Sequence, residues 1–390
     1  MRSLLKDFSP STVVAGFVAV LVGYTSSVAI IFQATVALGA TPAQTASWLW
    51  ALGLGMGLTS LGLSLWTRQP ILTAWSTPGA ALLASTSGLD MAEAIGAFIV
   101  CGGLITWAGA SGWFERLMDR IPVALASALL AGVLARFGLD AVASVRADPA
   151  LVLAMAAAYL AGRRGWPRYA VPGVLLTGIA FALGEGRLSF AGLDTSQVWA
   201  LPAWTTPVFS WHAVVGVALP LFIVTMASQN LPGVAAQRAS GYQTPVSASI
   251  AVTGAATTLL APFGGYALNL AAITAAICMG REAHEDPARR YTASVTAGLV
   301  YVAVGLAGGA VAMLLAAFPP ELVKTLAGLA LLGTIASALS AALKDEAHRD
   351  AALLTFLVCL SGVSAFGIGA AFWGVVAGGV ALLVMRLGRR

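Results

Sequence analysis

The side chains with most chemistry to offer in this chain are neutral polar groups, mostly amides, set in apolar runs. Gln33, Ser228, Gln229, Asn230 and Asn269 all fall in stretches otherwise made of Ala, Leu, Val, Ile and Gly. An amide buried in hydrocarbon without a partner is strongly disfavoured, so each must bond either a neighbouring helix or a ligand. For Gln33 the two readings stand level. Gln229 and Asn230 precede Leu231-Pro232-Gly233, which loosens a helix and favours a binding role there. A second group is Ser76-Thr77-Pro78-Gly79, where Ser76 or Thr77 can cap a helix that begins at Pro78. Asn269 stands in a similar position ahead of a helical run from Leu270 to Met279. Helix starts supply unpaired N–H groups and positive partial charge, whose natural guest is an anion. Trp75 and Tyr266 lie beside these starts, deeper than an interfacial belt requires, and either stack on a planar ring or simply pack.

Other chemistries find little support. The 16 carboxylates fall at the ends of apolar runs or between them, and His212, His284 and His348 are peripheral. There is no paired carboxylate, zinc-spaced histidine pair or serine–histidine pair at depth, so neither a catalytic residue nor a metal or other cofactor is expected. An enzyme ranks below a carrier, and a channel or scaffold would show unsaturable transport or none. Cys101, Cys278 and Cys359 lack any ligand or disulfide spacing and read as packing residues. The net charge of +5 reflects basic residues between spans, a topology signal that gives no reason to expect nucleic acid.

The elements that must position these residues are membrane helices. Of 390 residues, 59% are apolar and 9% charged, with a mean hydropathy of +0.88. The solvent is a lipid bilayer. The N-terminal apolar run is long and lacks a small-residue cleavage site, so it reads as a retained span. Ordinary spans are expected at 12–36, 43–66, 91–111, 121–138, 149–165, 170–184, 211–234, 245–261, 291–317, 320–341, 350–365 and 367–386. Segments 70–86 and 262–280 are anomalous, and counting both as crossings gives fourteen. With both termini cytoplasmic, only Arg136, Arg146, Arg187 and Lys324 of the 21 basic residues then fall outside. The outer segment 185–210 reads as a connector between halves. TPAQTAS at Thr41 and TPVSAS at Thr244 each open a span leading to a proline and an anomalous segment. Seven spans per half make the halves inverted with respect to each other.

The anomalous segments are too short for full helical crossings. Extended chain from Pro70 covers roughly 26 Å in eight residues, and an eight-residue helix adds roughly 12 Å. The topology makes both half-helices begin near the midplane, with their N-termini facing. Extended backbone at that depth is tolerated only in protein or beside a cavity.

The stretches TAWSTPGAALL, SQNLPG and YALNLAAITAAICMG followed by EAHEDPARRY resemble the bacterial benzoate:proton symporter family, the BenE-type carriers, over essentially the whole chain. The resemblance implies an inner-membrane carrier for benzoate and similar aromatic carboxylates, coupled to protons. Its wider kin, the nucleobase and sulfate-type carriers, imply seven plus seven inverted spans, often dimeric, with a core moving against a gate. The fold class expected is therefore an all-α polytopic membrane protein in which spans three and ten are each a short strand plus a half-helix. Residues 1–120 and 211–319 would form the core, and 121–210 and 320–390 the gate. The expected site is backbone N–H at the starts near Pro78 and Leu270, with Ser76, Thr77, Gln229, Asn230, Asn269 and Gln33 as polar groups and Trp75 and Tyr266 against the ring. Proton-coupled nucleobase carriers place a glutamate where this chain has Gln229 and Asn230. Its loss suits an anion but removes the obvious proton carrier. A nucleobase or inorganic-anion carrier on the same fold is the alternative.

Overall fold

The computed structural model describes residues 6–86, 88–114, 122–166, 170–188, 198–281, 283–363, 365 and 370–387. Within them the chain forms α1 (Pro10–Ala37), α2 (Pro42–Thr67), β1 (Thr73–Trp75), α3 (Thr77–Ala84), α4 (Met91–Ala110), α5 (Val123–Ala143), α6 (Pro149–Gly165) and α7 (Ala170–Gly184). There follow α8 (Trp211–Arg238), α9 (Val246–Leu260), β2 (Leu268–Leu270), α10 (Ile273–Met279), α11 (Tyr291–Leu306), α12 (Gly308–Ala317), α13 (Pro320–Lys344), α14 (Arg349–Ser361) and α15 (Ala370–Leu387). Among the described residues, six helices are long and apolar enough to cross a membrane by length and composition, or seven with α1 counted as one span.

The helix limits follow local chemistry. Ser9 and Thr41 cap α1 and α2 through reciprocal bonds with Thr12 and Gln44, each followed by proline in the first turn. The related TPVSAS segment behaves differently. Pro245 stands at the N-cap of α9 without a side-chain bond, and the Thr244 hydroxyl is buried without a partner among the described residues. The expected span 291–317 is divided at Ala307 into α11 and α12. The first span bends by 41° between Tyr24 and Ser27 without a proline. At the bend the Ser27 hydroxyl donates to the Gly23 carbonyl at 2.9 Å, the back-bond that bends helices.

In packing, α2 runs against α11, α4 against α9, α5 against α13 and α14, and α14 against α15. Glycine makes the first two contacts close. Gly53 meets Gly305, and Gly102 meets Gly254, with no room for a Cβ on either side. Lipid supplies no hydrophobic drive between helices, so such close backbone approach replaces it.

Polar clusters tie the bundle at its ends. At one end Asp7 accepts from the Tyr291 hydroxyl at 2.7 Å and lies 3.8 Å from Arg68 and 4.0 Å from Arg289. The Gln69 amide donates to the Gln243 carbonyl on the same side. Elsewhere Arg187 joins Asp148, Glu185 and Glu321 at the ends of α6, α7 and α13. The connector segment 198–208 is pinned by its amides, Ala200 to the Leu306 carbonyl, Thr205 to Pro262 and Val208 to Ala92.

Candidate functional site

β1 and β2 meet as an antiparallel pair in which Thr73 faces Leu270, Ala74 faces Asn269 and Trp75 faces Leu268. Three residues on each side cannot satisfy their own outer edges, and no water is available in hydrocarbon to do so. Helix side chains take that role. From α2, the Thr73 amide donates to Ser60 Oγ at 3.0 Å, and Ser64 Oγ donates to the Ile71 carbonyl at 2.8 Å. From α9, Thr257 Oγ1 accepts the Leu268 amide at 2.9 Å. From α8, Asn230 Oδ1 accepts the Leu270 amide at 2.9 Å, and Gln237 Nε2 donates to the Pro70 carbonyl at 3.3 Å.

The first half-helix forms as expected. Ser76 is its N-cap, with Oγ accepting from the Gly79 amide at 3.1 Å. The same oxygen takes the Thr225 hydroxyl at 3.0 Å, and the Ser76 carbonyl takes the Tyr266 hydroxyl at 3.0 Å. The second half-helix departs from expectation. It starts at Ile273 with Ala272 at the N-cap, whereas Asn269 and Leu270 remain in β2. Pairing with β1 keeps this stretch extended, and Asn230 Oδ1 holds the Leu270 amide and leaves it unavailable to a substrate. Ala267, just before β2, has a φ of +39°, a strained conformation for a residue with a side chain. At the far end of α10, Arg290 is 8% exposed. Its guanidinium donates to the carbonyls of Met279 at 2.8 Å, His284 at 2.7 Å and Glu285 at 3.3 Å.

Helix α8 carries two π-helical turns, Val214–Ala218 and Met226–Asn230, each ending two residues before a proline, Pro220 and Pro232. A proline lacks an N–H and clashes with the carbonyl four residues back, and a π turn accommodates both defects. The second turn contains Ser228, Gln229 and Asn230, as the loosening by Pro232 leads one to expect.

These features surround a cavity of about 490 Å³. Trp75, Thr77, Pro78 and Gln229 line it, along with Ser228, Ala271, Ala272 and Thr274. The Trp75 indole N–H donates to Ser27 Oγ at 2.8 Å, and its ring meets Tyr24 edge-on at 5.0 Å. Leu134 of α5, Val171 of α7 and Ala330 and Leu331 of α13 close the other wall.

Several expected contacts lie outside the cavity wall. Ser76 is buried as a cap. Tyr266 is enclosed by Trp48 and Phe98, with ring centroids 5.6 Å away in each case. Asn269 is fully buried, its amide donating to the Ala267 carbonyl at 3.0 Å while Oδ1 has no partner among the described residues. Asn230 and Leu270 are bonded to each other, and the Gln33 amide nitrogen is buried without a described partner. Conversely, Gly23, Ser27, Met56 and Tyr301 line the cavity without having been expected to. Ser27, four residues after Gly23 in an apolar run, is the one of these with a readable signal.

The chain is thus an apolar helical bundle in which two strand-plus-half-helix segments pair beside a cavity. Its fold is similar to that of the transmembrane domain of the cyanobacterial bicarbonate transporter BicA, with a TM-score of 0.58 at 14% identity over 97% of each chain. It is also similar to that of SLC26A9, with a TM-score of 0.64 at 13% identity over all of this chain and 67% of that one. The family model for the benzoate membrane transport protein, BenE, matches residues 6–384, and the chain belongs to that family of transporters, which are not enzymes. Relatives include the inner membrane protein YdcO of Escherichia coli, 50% identical over 98% of both chains. The benzoate membrane transport protein of Acinetobacter baylyi is 38% identical over 99% of this chain and 98% of its own.

Proposed function

We propose that this protein is a secondary active transporter that imports benzoate or a similar aromatic carboxylate across a bacterial inner membrane, coupled to protons, by an elevator-like alternating-access movement. The observation that carries the reading is the cavity, whose walls are mainly apolar but interrupted by Thr77, Ser228, Gln229 and Thr274. A planar ring fits the apolar wall beside Trp75, and a carboxylate fits the hydroxyl and amide groups. The carboxylate is received by Thr77 and Gln229 rather than by the Leu270 amide, which Asn230 occupies. The benzoate transport name of the Acinetobacter relative supports the same substrate class.

In this reading the chain crosses the membrane fourteen times, as two inverted seven-span repeats with both termini cytoplasmic. Three observations support it. The two β–half-helix segments pair with each other. Asp7, Arg68 and Arg289, all assigned to the cytoplasmic side, form one cluster. Asp148, Glu185, Arg187 and Glu321, all assigned to the outer side, form another. The division into a core of 1–120 with 211–319 and a gate of 121–210 with 320–390 draws support from packing of α2 on α11, α4 on α9 and α5 on α13. The cavity lies between these groups, where a sliding movement would open it to one side and then the other. A homodimer belongs to the same reading.

Purified protein in liposomes should show saturable uptake of labelled benzoate, faster under an inwardly directed proton gradient. Aromatic carboxylates should compete, whereas uracil and sulfate should not. Failure to accumulate benzoate with or without a gradient overturns the assignment, and competition by uracil or sulfate instead establishes the nucleobase or inorganic-anion alternative.

A further inference from the structure

One end of the cavity contains hydroxyls that the fold itself does not use. Many hydroxyls elsewhere are spent on backbone: Thr59, Thr106, Thr177, Thr257, Thr296 and Thr355 each donate to the carbonyl four residues earlier, whereas those of Tyr24, Thr244, Ser249, Ser294 and Thr325 are sealed in the protein without a partner among the described residues. The phenols of Tyr242, Tyr266 and Tyr291 are engaged, with Pro287, Ser76 and Asp7. Thr274 and Tyr301 belong to neither group, because they face open space. Both line the cavity, and neither hydroxyl has a hydrogen-bond partner among the described residues. Tyr301 is only 2% exposed, so its oxygen depends on whatever enters the cavity.

Gly23 stands beside both. A Cβ built at this position would lie 3.0 Å from Thr274 Cγ2 and 3.3 Å from Tyr301 Oη, so the absence of a side chain keeps space open next to the two hydroxyls. The residue lies at the edge of the bend in α1, and Ser27, which receives the Trp75 indole N–H, donates to its carbonyl. An apolar cavity of this kind would be served by a leucine or phenylalanine at 301 if it held only an unsubstituted ring.

We infer that Gly23, Thr274 and Tyr301 form a subsite for a hydroxyl substituent on the aromatic ring, so that hydroxybenzoates are substrates of the carrier. The inference rests on the aromatic-carboxylate reading and adds a second recognition point to it. A ring hydroxyl both donates and accepts, and so do the Tyr301 and Thr274 hydroxyls. Space beside Gly23 admits the substituent, and the two side chains pair it.

The test compares 2-, 3- and 4-hydroxybenzoate with benzoate as competitors for labelled benzoate uptake by the wild type, Tyr301→Phe, Thr274→Val and Gly23→Ala. In the wild type at least one isomer should compete better than benzoate by roughly three- to tenfold, the size of one or two net hydrogen bonds. Tyr301→Phe and Thr274→Val should each reduce that ratio, and Gly23→Ala should disfavour substituted rings against benzoate. The inference is overturned if no isomer is favoured in the wild type, or if the favoured ratio survives both hydroxyl deletions. Calorimetric binding of the three isomers to the purified wild type and Tyr301→Phe proteins gives the same ratio without transport. Absence of benzoate uptake alone therefore counts against the transport assignment, and an unchanged binding ratio counts against the subsite. Should Gly23→Ala fail to fold, the two hydroxyl variants decide the matter.

Discussion

The Leu270 amide donates to Asn230 Oδ1 across 2.9 Å, joining the end of β2 to the π turn of α8. Asn230 is therefore a positioning residue, and the amide beside it in sequence, Gln229, is the one that reaches the cavity. Replacing Asn230 by alanine leaves a buried backbone N–H without its acceptor. The expected cost is about 1–3 kcal/mol, read as a lower Tm in detergent together with loss of uptake. Asn230→Asp retains an acceptor and should recover part of the stability.

Gln229 should behave differently, because it lines the cavity and the proposed reading gives its amide to the substrate. Gln229→Ala should raise the KM for benzoate by roughly tenfold, the effect of about 1.4 kcal/mol of lost binding, with little change in Tm. Gln229→Glu should be worse than alanine, since an ionised carboxylate repels an anionic guest. Equal KM values for the two variants would place the substrate carboxylate elsewhere.

Tyr266 and Ser76 define the opposite class. Tyr266→Phe removes the bond to the Ser76 carbonyl and keeps the enclosed ring. It should lower stability by about 1 kcal/mol without altering the order of preference among aromatic acids. Ser76→Ala removes the cap of α3 and the acceptor for Thr225, at a cost of about 0.5–2 kcal/mol. A changed substrate order in Tyr266→Phe would show that the ring faces the ligand after all.

Arg290 gathers three carbonyls at the end of α10 with a planar fork that lysine cannot reproduce. Arg290→Lys should lower stability by about 1–3 kcal/mol and reduce the maximal rate of uptake more than it raises KM. The paired measurements are thermal unfolding and concentration dependence of transport.

Much of this was legible in the sequence because hydrocarbon imposes a simple rule. Helix limits such as Pro42–Thr67 and Pro149–Gly165 lie close to the edges of their apolar runs, and Ser76 caps the first half-helix through a bond three residues away. What could not be read was decided by partners distant in the chain. Asn269 has the local appearance of a cap, yet it and the next residue stay extended in β2, paired with β1, with the Leu270 amide on Asn230. Tyr266 sits beside a half-helix in sequence, but its ring is held by Trp48 and Phe98. The bend at Gly23 to Ser27 involves no proline, and Thr274 and Tyr301 become unusual only once their neighbours are seen to leave their hydroxyls unpaired.

The pairing of Thr73 with Leu270 also bears on how the molecule is made. When the ribosome has delivered the first of these segments to the bilayer, the strand that completes its hydrogen bonding has not yet been synthesised. The Ser60 and Ser64 hydroxyls are already at hand to shelter one edge, while the other must be held by water, lipid headgroups or the insertion machinery. The strand pair is thus assembled late in biogenesis, and two half-chains produced separately would each carry an unfinished edge that only the other can close.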